Sequence, residues 1–294
     1  MASAPVPRLH RLPSGALRLE WGGAWYDLDA WRAREGLPRS LGAALATGAL
    51  HAERLRDRLP GRAAAGHWDQ VSPPERPFAP PLDPREVGKV LCLGKNFRAH
   101  AAEFGEEVPT EPMFFAKLPE TLVGDGATVE VRCWYRGRVD HEAELALVIG
   151  QEARDLEPGE ALACVAALTV ANDLTARSLQ GADRKQGYPW LRGKNMDGFL
   201  PLGPALVPSG FLDPHDLNVT CTVGNEVRQD ASTRDLVVRI PEALAWLSRH
   251  LTLRPGDLVL MGTPEGVGPL EDGDVVRCSI PPIGSLLTTI RRPD

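Results

Sequence analysis

The sequence lacks the marks of several large functional classes. Its 294 residues hold only five cysteines, Cys92, Cys133, Cys164, Cys221 and Cys278, with no C-x-x-C pair and no short-range cluster. Such scattered thiols argue against a zinc site built from Cys and His, and for a reducing, cytoplasmic setting. No apolar run approaches the ~18 residues of a membrane span. Met1–His10 has no apolar core of the kind that secretory signals carry. A basic excess is also missing: 33 Lys and Arg face 39 Asp and Glu, for a net charge of −6. That balance argues against nucleic acid as a partner. It leaves room for an anionic small molecule, because charge inside a cleft can oppose the global charge.

Common catalytic signatures are absent too. Gly187 to Lys194 is one residue too long for a phosphate-binding P-loop, and Asn195 stands where Ser or Thr is required. Gly266-Val-Gly268 is not followed by the third glycine of a dinucleotide fingerprint. There is no G-x-S-x-G nucleophile elbow.

What is present divides the chain near residue 82. Leu17–Trp21 and Ala24–Leu28 read as short strands, with Gly22-Gly23 between them as a hairpin turn. Ala30–Glu35 and Leu41–Leu59 read as helices. Ser72–Pro81 carries five prolines in ten residues and reads as an extended linker. Residues 1–82 are therefore expected to form a small α+β unit and 83–294 a second domain. The second part reads as strand-rich: Lys89–Leu93, Val139–Gly150, Leu217–Thr222, Leu258–Met261 and Asp274–Cys278, with Ala161–Leu168 open between helix and strand. Arg98–Phe104 and Pro241–Leu251 read as helices, and Gln180–Trp190 as a mobile loop.

The sharpest local feature is His141-Glu-Ala-Glu-Leu-Ala-Leu-Val-Ile-Gly150. Strand alternation sets Glu142 and Glu144 on one face with Ala146 and Val148, and Ala143, Leu145, Leu147 and Ile149 on the other. Two carboxylates on an apolar strand repel each other and resist burial, and a divalent cation would relieve both costs. Asp173 ends another apolar run, Leu168–Ala171. It needs a partner too: a cation, a helix N-terminus or Arg177. Three oxygen donors with no Cys or His cluster suit a hard metal, Mg²⁺ or Mn²⁺.

These segments resemble the fumarylacetoacetate hydrolase family. The resemblance covers about residues 89–290, through six segments in order: Gly94–Glu103, Pro112–Lys117, Asp140–Leu145, Ala171–Arg177, Gly193–Pro204 and Pro255–Gly268. It implies a bacterial member with a mixed, β-rich α+β catalytic domain, preceded here by the small N-terminal α+β domain. It also implies a homodimer, with Mg²⁺ or Mn²⁺ held by Glu142, Glu144 and Asp173. Members act on 2-oxo acids as C–C hydrolases, decarboxylases or enol–keto isomerases. Phe97 stands where the family often has Tyr, and Lys194-Asn-Met-Asp197 departs from the usual Lys-Ser-Phe-Asp or Lys-Gly-Cys-Asp.

The same resemblance gives roles to further residues. His100 and Glu103 lie three apart on one helical face, so the carboxylate can orient the imidazole as a general base; the pair resembles the family's water-activating dyad. Lys194 is expected to stabilise developing enolate charge. Lys117, Gln180 and Thr263 are expected to contact substrate, Thr263 from a glycine-rich loop that lets backbone N–H groups approach a carboxylate. The leading expectation is C–C bond hydrolysis of an acylpyruvate-type substrate in the cytoplasm. The alternatives are a 2-hydroxyhepta-2,4-diene-1,7-dioate isomerase or decarboxylase of aromatic catabolism, and a non-catalytic ligand-binding relative.

Overall fold

The computed structural model describes residues 5–63, 66–103, 105, 107 and 109–293. One large mixed sheet runs Gln70–Val71, Ala24–Asp27, Leu17–Trp21, Arg8–Arg11, Leu200–Pro208, Val165–Asn172, Ala143–Ile149, Leu258–Leu260, Val90–Gly94 and Met113–Lys117. Leu122–Val123 pairs alongside Leu200–Pro208. A second sheet of five strands runs Glu226–Ser232, Asn218–Val223, Val275–Ile280, Gly284–Arg291 and Ala127–Glu130. Helices are few and short; the longest among the described residues, Ile240–His250, has 11 residues. This is the β-rich α+β architecture expected from the sequence.

The central strand, Ala143–Ile149, is buried along its whole length because apolar residues occupy both of its faces. Leu145, Leu147 and Ile149 belong to a core shared with Val219, Val276 and Leu244. Ala146 and Val148 belong to a second core with Trp31, Leu41, Leu45 and Leu55 from the N-terminal segment. Each large aliphatic side chain buried this way contributes roughly 1.5–3 kcal/mol. The described residues before 83 and the later strands thus share one sheet, through the Leu9–Leu206 pairing, and one core.

Local detail follows side-chain chemistry. Gly22 and Gly23 have φ of 57° and 81°, which only glycine adopts at low cost at two successive positions, and the hairpin closes there with Trp21 opposite Ala24. The helix expected over 41–59 breaks into Leu41–Ala46, Ala52–Leu55 and a 3₁₀ turn at Arg56–Arg58. Thr47 and Gly48, weak helix formers, sit at the break. The stretch 180–190 is not one loop: helix Arg177–Lys185 runs into it, and helix Leu191–Lys194 follows. Arg192 Nε holds both oxygens of Asp183 at 2.9 Å, which pins the turn between those helices. Arg98–Glu103 is helical as expected, and Phe104 lies outside the described residues. No helix among the described residues is long and apolar enough to cross a membrane.

Candidate active site

The expected strand 139–150 is interrupted, and the interruption builds the site. Val139–Asp140 pairs with Thr175–Ala176, whereas Ala143–Ile149 pairs with Val165–Asn172. Between them the Glu142 N–H donates to the side-chain oxygen of Asn172 at 3.0 Å, and the Asp173 N–H donates to the Glu142 carbonyl at 2.8 Å. Two strand ends therefore meet at Glu142, Glu144 and Asp173. One carboxylate oxygen from each lies within 4.8 Å of the others, and all three residues are buried.

Cations surround two of these acids. Lys194 Nζ donates to Glu142 Oε2 at 2.8 Å and to Asp173 Oδ2 at 2.6 Å. Arg177 bonds the other Glu142 oxygen and also reaches Asp140, at 2.8 Å, and Gln180 Oε1, at 2.8 Å. Lys117 Nζ donates to Asp173 Oδ1 at 2.7 Å and to the Leu174 and Lys194 carbonyls. The sequence reading left the partner of Asp173 open between a cation, a helix N-terminus and Arg177; the two lysines bond it, and Arg177 goes to Glu142 and Asp140.

Glu144 differs. Its bond among the described residues is from a backbone donor, the Gly262 N–H at 2.6 Å. Gly262 has φ of 92°, and a Cβ there would lie 2.9 Å from the Asn96 Cβ, so glycine is what lets the loop come this close. Burial, reinforced by the Asp173 and Glu142 charges, pushes the Glu144 carboxyl well above its ordinary range. Burial also opposes ionisation of Glu142, but Lys194 and Arg177 overcome it and hold that carboxyl well below. For Lys194, burial works against the ammonium, and Asp173 and Glu142 outweigh it, so its pKa stands raised. A buried acid that no cation among the described residues bonds directly, beside two that are so bonded, is a hard-oxygen donor set that fits Mg²⁺ or Mn²⁺.

A cavity of about 260 Å³ opens onto this centre. His100, Lys194, Gln180 and Thr263 line it together with the three acids. His100 Nδ1 stands 3.3 Å from Glu103 Oε2, and Glu103 Oε1 accepts from the Gly266 N–H at 3.3 Å, tying the short helix to the glycine-rich loop. Burial lowers the His100 pKa despite the nearby Glu142 and Glu103 charges, so the imidazole is neutral at neutral pH. Phe115 and Trp190 form one wall, with ring centroids 5.5 Å apart and Lys194 Nζ 4.8 Å from the Phe115 centroid.

Of the residues expected at the site, Glu103 and Lys117 are not part of the cavity lining; Glu103 reaches it through His100, and Lys117 lies behind it. The Lys117 side chain has 0% exposure, and its partner is a protein carboxylate rather than a substrate one. Phe97 lies in the core, so the missing phenol takes no polar group from the cavity. Sequence reasoning missed Gln229, Phe115 and Trp190, and weighed Arg177 only as a partner for Asp173. Arg177 carries a usable signal, since it lies three residues before Gln180 on one helical face; Gln229 comes from the other sheet, and nothing in its local sequence marks it.

A family profile described as fumarylacetoacetate (FAA) hydrolase C-terminal matches residues 89–291. Oxaloacetate tautomerase fahd2, mitochondrial, of Xenopus laevis is 34% identical over 97% of this chain and 86% of its own length. The crystal structure of fumarylpyruvate hydrolase from Pseudomonas aeruginosa, in complex with Mn²⁺ and pyruvate, is 35% identical and covers 70% of this chain and 91% of that one, with a TM-score of 0.67. The 5-carboxymethyl-2-hydroxymuconate delta-isomerase from Mycobacterium smegmatis is 30% identical and covers 98% of this chain and 99% of that one, with a TM-score of 0.69.

Proposed function

The chain belongs to the fumarylacetoacetate hydrolase family, and on that footing we propose that it is a Mg²⁺- or Mn²⁺-dependent enzyme that moves protons beside the carbonyl of a small 2-oxo acid. Keto–enol tautomerisation or isomerisation is the leading reaction. The observation that carries this reading is one small cavity lined by the His100 imidazole together with the acid triad and Lys194. Relatives similar along nearly the whole chain carry tautomerase and isomerase names.

Glu142, Glu144 and Asp173 would hold the metal, which when bound supplies Lewis-acid polarisation of the substrate carbonyl. Glu103 orients His100 through Nδ1, which makes Nε2 the basic nitrogen. His100 Nε2 takes the proton from the carbon next to the carbonyl. The C–H electron pair becomes the new C=C bond, and the carbonyl π pair moves onto oxygen. Lys194 stabilises the charge that develops there; the proton held by His100 then passes to that oxygen to give the enol, and the same transfers in reverse restore the keto form. Gln180 and Thr263 hold the substrate, Arg177 holds Glu142 and Gln180, and Lys117 supports Asp173 from behind.

Acylpyruvate hydrolysis, the leading expectation from sequence, is the second reading. The His100–Glu103 hydrogen bond favours it, because the same oriented base can deprotonate water. One assay separates the two. Loss of enol absorbance from oxaloacetate and pyruvate release from an acylpyruvate are followed with Mg²⁺ present and after chelation. Metal-dependent enol loss without pyruvate release supports tautomerisation, and stoichiometric pyruvate supports hydrolysis. Turnover that survives chelator, or that Glu142→Ala leaves intact, sinks the metal scheme. We further propose a cytoplasmic homodimer and a domain boundary near residue 82; sedimentation of the purified protein tests the dimer.

A further inference from the structure

Gln229 sits in strand Glu226–Ser232 of the five-stranded sheet, 1% exposed and outside the cavity lining. Its carboxamide joins the two halves of the site. Oε1 accepts from the Ala143 N–H at 3.0 Å, the peptide between Glu142 and Glu144, and lies 3.2 Å from His141 Nδ1. Nε2 donates to Thr263 Oγ1 at 2.8 Å and to the Pro264 carbonyl at 2.8 Å. The amide cannot be reversed, because Ala143 offers only a donor and Pro264 only an acceptor. Both Nε2 protons are therefore spent, one of them on a lone pair of Thr263.

A hydroxyl has a single proton. Among the described residues, no acceptor is bonded to that of Thr263, whose side chain lines the cavity. We propose that Gln229 is a positioning residue that fixes the polarity of Thr263. It makes the cavity wall present an O–H donor, aimed at an acceptor oxygen of the substrate, and locks that donor in register with Ala143, the residue between Glu142 and Glu144. The ligand group it selects is a carboxylate oxygen. This rests on the reading of the cavity as a 2-oxo acid site.

Gln229→Glu isolates the donor half. A buried carboxyl still accepts from Ala143 and has at most one O–H, which the Pro264 carbonyl takes, so it offers Thr263 a lone pair and the hydroxyl turns to show its own lone pair to the ligand. Pyruvate is titrated calorimetrically into the Mn²⁺-loaded enzyme, with Mn²⁺ affinity measured separately. Thr263→Val and Gln229→Glu should each weaken pyruvate about tenfold, the scale of one charge-assisted hydrogen bond. The double variant should be no worse than Thr263→Val alone, and Thr263→Ser should bind as the parent does. Gln229→Met, which keeps the length and loses both donors, gives the same test if the buried glutamate prevents folding: it should weaken pyruvate only while Thr263 is present. Additive losses, or parental affinity in Gln229→Glu, overturn the inference while sparing the role of Thr263. Parental affinity in Thr263→Val overturns that role and the inference with it. Absence of pyruvate binding by the unaltered enzyme overturns the 2-oxo acid reading as well.

Discussion

The ammonium of Lys117 stands 2.7 Å from Asp173 Oδ1, and neither side chain has any exposure to solvent. Removing Lys117 leaves the enclosed Asp173 with Lys194 as its remaining cation among the described residues. Lys117→Met is therefore expected to lower the stability of the metal-free protein, by at most the roughly 3–5 kcal/mol of breaking a buried pair outright. Mn²⁺ should restore part of the loss by giving Asp173 a new counter-charge. Urea unfolding with and without Mn²⁺ measures both effects; unchanged stability, or a loss that Mn²⁺ leaves untouched, contradicts this role.

Glu144 ties metal affinity to pH. Its carboxyl stands well above the ordinary 4.5, first through burial and then through its acidic neighbours. An acid raised on folding adds stability below its unfolded pKa and loses it as pH rises through the folded value. The metal-free protein should thus lose stability as pH climbs above 4.5, and Glu144→Gln should remove that component. Mn²⁺ competes with the same proton, so its affinity should rise over that range with proton release on binding. Thermal melts of chelator-treated protein and titrations in weak buffer read the two signs, and a pH-independent Mn²⁺ affinity would reject them.

His100 sets the acid limb of the rate profile. Burial lowers its pKa below the ordinary 6.5, so kcat/KM should begin to fall only below that pH. His100→Gln should reduce kcat by about 10²–10⁴ and leave Mn²⁺ affinity unaltered. A limb at or above the ordinary value, or a variant with full kcat, removes His100 from the base role.

The proposed boundary near residue 82 has its own test. Ala146, Val148, Leu202 and Leu206 share a core with Leu9, Trp31 and Leu41, so residues 83–294 alone uncover apolar surface. That fragment should retain Mn²⁺ binding but melt lower and bind a hydrophobic dye that the whole chain ignores. Loss of all cooperative unfolding in the fragment would argue that the two parts form one folding unit.

The sequence and the structure agree where the signal is local. Glu142 and Glu144 lie two residues apart at the start of one strand, His100 and Glu103 share a helical turn, and Gly22-Gly23 closes a hairpin, all within a few residues. Long-range effects were hidden. The break at His141–Glu142 depends on Asn172, and the enclosure of Lys117 depends on Asp173, in each case on a side chain 30 or more positions away. The helix through 177–185 was obscured because its residues are mostly polar, so no apolar stripe announced it. Gln229 was invisible for the same reason as most buried polar links: only the fold tells which backbone groups it must satisfy.

The hairpin at the N-terminus also bears on how the protein behaves in a crowded solution. Strand Arg8–Arg11 lies along Leu200–Pro208, whose outer backbone groups would otherwise stand as an edge. An open, apolar edge is a template for another chain to extend, and chains that extend each other form fibres. Here the sheet grows outward instead into the protein's own hairpin and ends on Gln70–Val71, a strand of only 2 residues followed closely by Pro73 and Pro74. Proline offers no N–H to a newcomer. Whatever else the described N-terminal residues do, they end this side of the sheet on a short strand that gives a neighbouring molecule little to pair with.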